Sequence, residues 1–391
     1  MNRASQALVH RGSPHHPDLG PLLEETNKRV QVSRSVFKYG SPCRFLGRSK
    51  AVRRTALHDA AAKTLLALFI LVTTAQAERH EFSRPLMGMA FRIVVYADDA
   101  GLAKRSAHAA FDRVAALNQI MSDYDPESEL NRLSDLAGSG KSARISKELC
   151  AVLDRAQKLA SDTGGAFDVT AGASVQLWRR ARRLKRLPPE QVLDTALKTV
   201  SFRRLKLDAK NSTAEVTGPG TRLDLGGIAK GHALDEALAV LKGQGLWQAL
   251  VSAGGDIVAG VAPPGKKGWR VALVGLREES KPEFLWLENA AVATSGDLYQ
   301  FLEMDGTRYS HIVDPRTGRA LTEQRLVHVI ALDAITADSL ATAISVLGPG
   351  EGMRLVDGDK RLGARVVSRD AIGQVRLAES PVFHTWPRAG D

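Results

Sequence analysis

Residues 223–238 read LDLGGIAKGHALDEAL, an apolar run that ends in Gly226 and Gly227 and gives way to a helical pattern. A strand-to-helix turn of this kind aims backbone N–H groups and the positive end of a helix dipole at one point, and glycine lets a bulky anion approach the backbone. Lys230 falls in the first helical turn, where its ammonium can reach a phosphate. The spacing matches neither the dinucleotide fingerprint nor the nucleotide P-loop, so a plain packing turn is an equal reading of the same residues. A second glycine pair, Gly254 and Gly255, follows in SAGGDI after another apolar run. Two such turns so close together point to a cleft where backbone meets ligand.

Two further stretches add reactive groups. Residues 291–297 (AVATSGD) read as a tight, donor-rich turn suited to anions, and residues 308–318 (RYSHIVDPRTG) follow. His311 lies three residues before Asp314, a pairing that can make an imidazole a base or a phosphate donor near neutral pH; the same histidine also reads as a satisfied structural one. Asp314 to Gly318 is a good turn on local grounds alone. Asp338 and Thr342 are four apart on a helical pattern and hence on one face. A carboxylate with a hydroxyl is hard oxygen ligation, the kind Mg²⁺ uses when it bridges to substrate phosphates, although Asp338 alone also reads as a helix-start residue favoured by the dipole.

These groups need a scaffold, and the periodicity supplies one. Strands are expected over 91–97, 204–207, 214–216, 249–252, 270–274, 284–287 and 327–332. Helices are expected over 102–121, 147–160 and 228–241, with a fourth over 337–347 that Gly348 and Pro349 close. Strands in neighbouring groups, without strict alternation with helices, favour α+β over a doubly wound parallel sheet. Residues 179–186 (RRARRLKR), directly after Trp178, could grip phosphate or RNA, but such a run more often forms a solvated helix end or loop.

The chain has 391 residues, 44% hydrophobic and 25% charged, which excludes a small disulfide scaffold and a low-complexity chain. Its net charge of +11 is concentrated at the start, where residues 1–64 hold 12 Lys/Arg against 4 Asp/Glu. The rest is close to neutral, which is no footprint for nucleic acid. Arg53, Arg54 and Lys63 precede the apolar run LLALFILV (65–72), and Ala75-Gln76-Ala77 closes it. Basic flank, short apolar stretch and Ala-x-Ala form a secretory signal over 51–77, cleaved after Ala77, and the run is too short to span a bilayer. Residues 1–50 read as disordered or as an extension from an upstream start codon. The mature chain, 78–391, is then expected to be exported, periplasmic and soluble. Cys43 is lost with the leader and Cys150 remains alone, so no intramolecular disulfide forms; Cys150 reads as a buried structural thiol. No cysteine stands at the signal junction behind the apolar run, which disfavours a lipid anchor.

In order along the chain, LMGMAF, MSDYDPESELNRL, GGAFDVTAGASVQLW, LDLGGIAKGHALDEAL, VSAGGDI, AVATSGD, YSHIVDPRTG and ADSLATAISVLG resemble the ApbE family, the FAD:protein FMN transferases, over about residues 86–352. The resemblance implies a single ApbE-like, T-fold-like domain, α+β, of mixed, mainly antiparallel sheet with packed helices. It implies that FAD is bound as substrate with Mg²⁺, and that its FMN half moves onto a Ser or Thr of an acceptor protein with release of AMP. Asp338 and Thr342 match side-chain metal ligands, and the carbonyl of Gly227 a main-chain ligand. Met87, Tyr124, Ala166, Phe167, Asp168, Asp224 and Lys230 match FAD-contacting positions. His311 matches the histidine implicated in transfer, and Ile312 lies beside it at the flavin-nucleotide site. Catalysis is thus expected from His311 and the metal-linked Asp338. Met89, Val169 and His232 depart from the family's usual Thr, Pro and Tyr. An FAD pyrophosphatase would use the same site, whereas the intact Lys230, His311, Asp338 and Thr342 argue against the other alternative, a non-catalytic exported flavin carrier.

Overall fold

The computed structural model describes residues 77–276, 283–298, 300–369 and 373–390. The expected extension (1–50) and all but the last residue of the expected signal segment lie outside them. Eight strands form the main sheet: β1 (Glu78–Leu86), β2 (Met89–Ala97), β3 (Ala249–Ala253), β4 (Asp256–Ala259), β5 (Ala290–Gly296), β6 (Gln324–Ala331), β7 (Gly363–Arg369) and β8 (Val375–Glu379). They lie side by side in that order and every pair is antiparallel. The α+β expectation thus holds.

Eight helices are described: α1 (Ala100–Met121), α2 (Glu129–Asp135), α3 (Lys147–Asp162), α4 (Gly172–Leu184), α5 (Glu190–Leu197), α6 (Ala229–Gly243), α7 (Ala334–Met353) and α8 (Pro381–Thr385). The alternation of each strand sorts its side chains into two cores. Phe91, Ile93 and Val95 of β2, with Ala249 and Val251 of β3, pack against α1, α6 and α7. Val94 and Leu250 point the other way, onto a small three-stranded sheet carrying Trp269, Val271, Leu285 and Leu287. Side chains cap the helices where the sequence changes period: Asp99 accepts from Gly101 N at 2.7 Å and Asp333 from Thr336 N at 2.9 Å. Among the described residues no helix is long and apolar enough to cross a membrane.

Most expected elements appear within a few residues of their expected ends. Gly348, at φ +77°, breaks α7 into two helical pieces where the sequence placed its stop. Two expectations fail. AVATSGD is a strand, β5, because Ala291 and Ala293 are buried against the helices and the segment pairs on both edges. Residues 223–225, expected as a short strand before Gly226, form no strand; only Arg222, just before them, makes an isolated bridge, to Ala171. Cys150 is buried in the helical core, as a structural thiol would be.

Strand pairing gathers several connections at one end of the sheet. The β1–β2 turn is Met87-Gly88, both at positive φ (50° and 76°), the backbone that a two-residue hairpin requires. Phe91 pairs with Ala253, so this turn lies beside Gly254-Gly255 of the β3–β4 turn. Thr294 on β5 reaches the same level, and the connection carrying His311 leaves from there and returns to β6.

Candidate active site

Three clusters meet at that end of the sheet. The first joins α6 to α7. Gly231 N donates to Asp338 Oδ2 at 2.9 Å, and Lys230 Nζ lies 3.3 Å from Asp338 Oδ1. Lys230 also pairs closely with Asp256, which is fully buried and accepts from Thr294 N at 2.9 Å. A Cβ placed on Gly227 would fall 2.9 and 3.0 Å from Cγ2 and Oγ1 of Thr342 and 3.2 Å from the Phe167 ring. Gly227, Lys230, Asp338, Thr342 and Phe167 are therefore neighbours. Met89 Sδ packs where a Gly254 side chain would stand, with the Lys230 stem alongside, so the Met87 turn lies beside this cluster.

The network continues behind it. Thr294 Oγ1 is 3.1 Å from His328 Nδ1, and His328 Nε2 donates to the Val274 carbonyl at 3.0 Å. With Nε2 donating and the ring neutral at neutral pH, Nδ1 accepts from the threonine. Burial holds the His328 pKa down at about 4.

The second cluster surrounds Arg179 of α4. Its guanidinium donates to Asp224 Oδ2 at 2.7 Å, pairs closely with Asp123, and covers the Tyr124 ring at 4.5 Å from the centroid. Tyr124 is otherwise 76% exposed, an aromatic face held out toward solvent. Burial and then the charge of Asp224 push Asp123 up to about 6 against the pull of Arg179. Asp224 also accepts from Gly226 N at 2.7 Å and donates its own amide to the Val169 carbonyl, which fixes loop 166–171 against the glycine turn. In that loop Asp168 Oδ1 is held by the amide and hydroxyl of Thr170, at 2.8 and 2.7 Å. Asp168 thereby shapes the loop, and burial raises its pKa.

The third cluster holds His311. Ile312 packs with Ala166 and Val346, bringing two expected contact residues together over the end of α7. His311 Nδ1 is buried and has no hydrogen-bond partner among the described residues. Burial, then the charges of Arg182, Lys230 and Arg179, hold its pKa at about 4, so the ring is neutral. The expected pairing with Asp314 is corrected: that carboxylate grips Arg316 at 3.0 and 2.9 Å, because the turn brings the guanidinium back onto it.

Sequence reasoning missed Arg179, Arg182, Asp123 and Asp256. The basic run was expected to be solvated, yet α4 turns Arg179 and Arg182 inward while Arg180, Arg183, Lys185 and Arg186 are exposed. Helical phase could have singled out Arg182, which lies beside the buried stripe of Trp178 and Ala181, but not Arg179, which is no closer to that stripe than the exposed Arg180. Among the described residues no three His, Cys, Asp or Glu side chains gather as a metal cluster.

Known proteins resemble this chain in sequence and in fold. Residues 87–366 match the ApbE family. A Vibrio cholerae protein named FAD:protein FMN transferase is 32% identical over 303 residues, covering 75% of this chain and 89% of that one. A Treponema pallidum protein of the same name is 33% identical over 344 residues, covering 78% and 91%. The solved flavin transferase ApbE from Vibrio cholerae superposes with a TM-score of 0.72 at 28% identity, over 79% of this chain and 99% of that one. The ApbE protein from Thermotoga maritima gives 0.71 at 29%, over 80% and 100%. With most of the described sheet and all three clusters inside the matched span, the chain belongs to the ApbE family.

Proposed function

We infer that this chain is an FAD:protein FMN transferase that moves the FMN half of FAD onto a Ser or Thr hydroxyl of an acceptor protein and releases AMP, with Mg²⁺ as the metal. The observation that carries this reading is a neutral imidazole, His311, whose Nδ1 has no partner among the described residues, at the same end of the sheet as a buried Lys–Asp cluster. Asp256 and Asp338 are buried and share the one ammonium of Lys230, which leaves a buried negative charge to be balanced. A divalent cation fits that deficit, and Asp338, the Thr342 hydroxyl and the Gly227 carbonyl are the hard oxygens that would hold it. When bound, the metal supplies positive charge against the pyrophosphate.

The chain's own residues account for the rest. Lys230 is held by two carboxylates at a set position and meets substrate charge without reorganising. His311 accepts the proton of the incoming hydroxyl at Nδ1 as its oxygen bonds to the phosphorus of the FMN half. The bond from that phosphorus to the bridging oxygen breaks, and AMP departs with the bridging oxygen. Tyr124, fixed under Arg179, offers an aromatic face to a ring of the substrate. The test incubates the protein with FAD, Mg²⁺ and candidate acceptor proteins. Flavin that survives denaturation on the acceptor, with one AMP released per flavin bound, is expected; free FMN in place of labelled protein would make the enzyme an FAD pyrophosphatase.

The reading extends to an exported, periplasmic protein cleaved after Ala77. The sequence pattern of 51–77 supports it, and so does the start of β1 at Glu78, the next residue. N-terminal sequencing of exported material is expected to begin at Glu78; an intact residue 1 on the working enzyme would reject it.

A further inference from the structure

Arg182 is a half-buried cation with no acidic partner among the described residues. Its Nη1 is buried and has no hydrogen-bond partner among the described residues, whereas Arg179, one turn earlier, is matched by two carboxylates. An unpaired buried guanidinium opposes folding, because its desolvation is not offset. A ligand that supplies the missing anion would remove that cost.

The fold places Arg182 beside the reacting groups. Trp178, one turn before it, stacks on Tyr309 with ring centroids 5.4 Å apart and donates from Nε1 to the Gly318 carbonyl at 3.0 Å. Ala181 and Trp178 share a core with Leu302, Val313 and Ala320, strand residues on both sides of His311. The face of α4 that carries Arg182 is thus clamped onto the connection that carries His311. Buried and unpartnered among the described residues of this helix and connection are Ser174 Oγ, Asp297 Oδ1 and two nitrogens, Arg182 Nη1 and His311 Nδ1. Of the two nitrogens, one donates and the other is a proton acceptor, which is the complement of a phosphoryl oxygen and an attacking hydroxyl.

We propose that Arg182 is a substrate-binding residue whose guanidinium holds a phosphoryl oxygen of the pyrophosphate next to His311. This assignment rests on the transferase reading for its substrate and adds to it a phosphate contact supplied by the basic helix. Charge-assisted donation from a guanidinium gives both affinity and orientation. The exposed members of the same run have no such role.

The test is a binding titration of the intact protein with FAD, inorganic pyrophosphate and riboflavin, for the wild type, Arg182→Met and Arg182→Lys, together with thermal melts without ligand. Arg182→Met is expected to weaken FAD and pyrophosphate by about 10- to 100-fold and leave riboflavin unchanged. Its melting temperature without ligand is expected to equal or exceed that of the wild type, since a partly desolvated charge without an ion pair has gone. Arg182→Lys is expected to recover part of the pyrophosphate affinity. Unchanged pyrophosphate binding, equal loss of riboflavin, or a lowered melting temperature with FAD affinity intact would each overturn the assignment. If flavin transfer proceeds while Arg182→Met binds pyrophosphate like the wild type, the subsite falls and the transferase reading stands. If pyrophosphate binding depends on Arg182 but no acceptor is labelled, the reverse holds.

Discussion

Gly231 and Asp338 touch where α6 packs on α7: the Gly231 amide donates to Asp338 Oδ2 at 2.9 Å, and a Cβ on Gly231 would stand 2.8 Å from Asp338 Cβ and 2.3 Å from the Ala334 carbonyl. Glycine at this point is what allows the helix with Lys230 and the helix with Asp338 to come together. Gly231→Ala improves helix propensity by about 1 kcal/mol, yet the clash with backbone costs about 1–3 kcal/mol. The expected outcome is a lower melting temperature and a larger loss of FMN transfer, because the clash displaces Asp338. A variant as stable and active as the wild type would show that the gap widens freely.

Asp338→Asn keeps size, and its amide oxygen can still accept from Gly231, so the fold is expected to survive. It removes the anionic oxygen, and transfer is expected to fall to background. Thr342→Val is expected to weaken Mg²⁺ less, as a neutral hydroxyl is the poorer ligand. Calorimetric Mg²⁺ titration beside a transfer assay checks both, and undiminished Mg²⁺ binding by Asp338→Asn sinks the metal assignment.

His311→Ala is expected to slow transfer by about 10²- to 10⁴-fold while FAD affinity stays near that of the wild type. Because the ring is neutral down to about pH 4, its contribution persists from neutral pH to about 5 and fades as the pH falls through 4. Single-turnover AMP release across that range measures it. Normal turnover with weakened FAD binding would move His311 into the nucleotide pocket.

His328 gives a stability prediction with a definite sign. Its folded pKa, about 4, lies below the unfolded value of about 6.5, so the unfolded chain takes the proton first. The stability it contributes is complete above about pH 6.5 and is lost as pH falls toward 4, by up to about 3 kcal/mol. Asp123 and Asp235, both raised to about 6 chiefly by burial, act in the opposite direction over the same range. The wild-type melt alone therefore shows only a difference. His328→Gln, which can keep one donor and one acceptor, is expected to be less acid-sensitive than the wild type between pH 7 and 4; identical pH profiles would refute the neutral assignment.

Local pattern was enough for much of this protein. The strand over Met89–Ala97, the long helices from Ala100, Lys147 and Ala229, the stop at Gly348 and the placing of Lys230 in a first helical turn all follow from periodicity and glycine. Ordered motifs pointed to the family and to its contact residues. The sequence could not show that AVATSGD is an interior strand, since small residues suit a turn as well as a tightly packed sheet. Nor could it reveal that Asp314 serves Arg316, that Asp256 shares Lys230 with Asp338, or that Arg179 and Arg182 leave a solvated-looking run to face the site. Each of these depends on which charges end up adjacent once water has been excluded. Asp256 and Lys230 are 26 residues apart and Asp338 and Lys230 are 108, so only the packing of α6 and α7 against the sheet decides their pairing. Periodicity determines which face of an element is buried, whereas the partner of a buried charge is a property of the assembled layers.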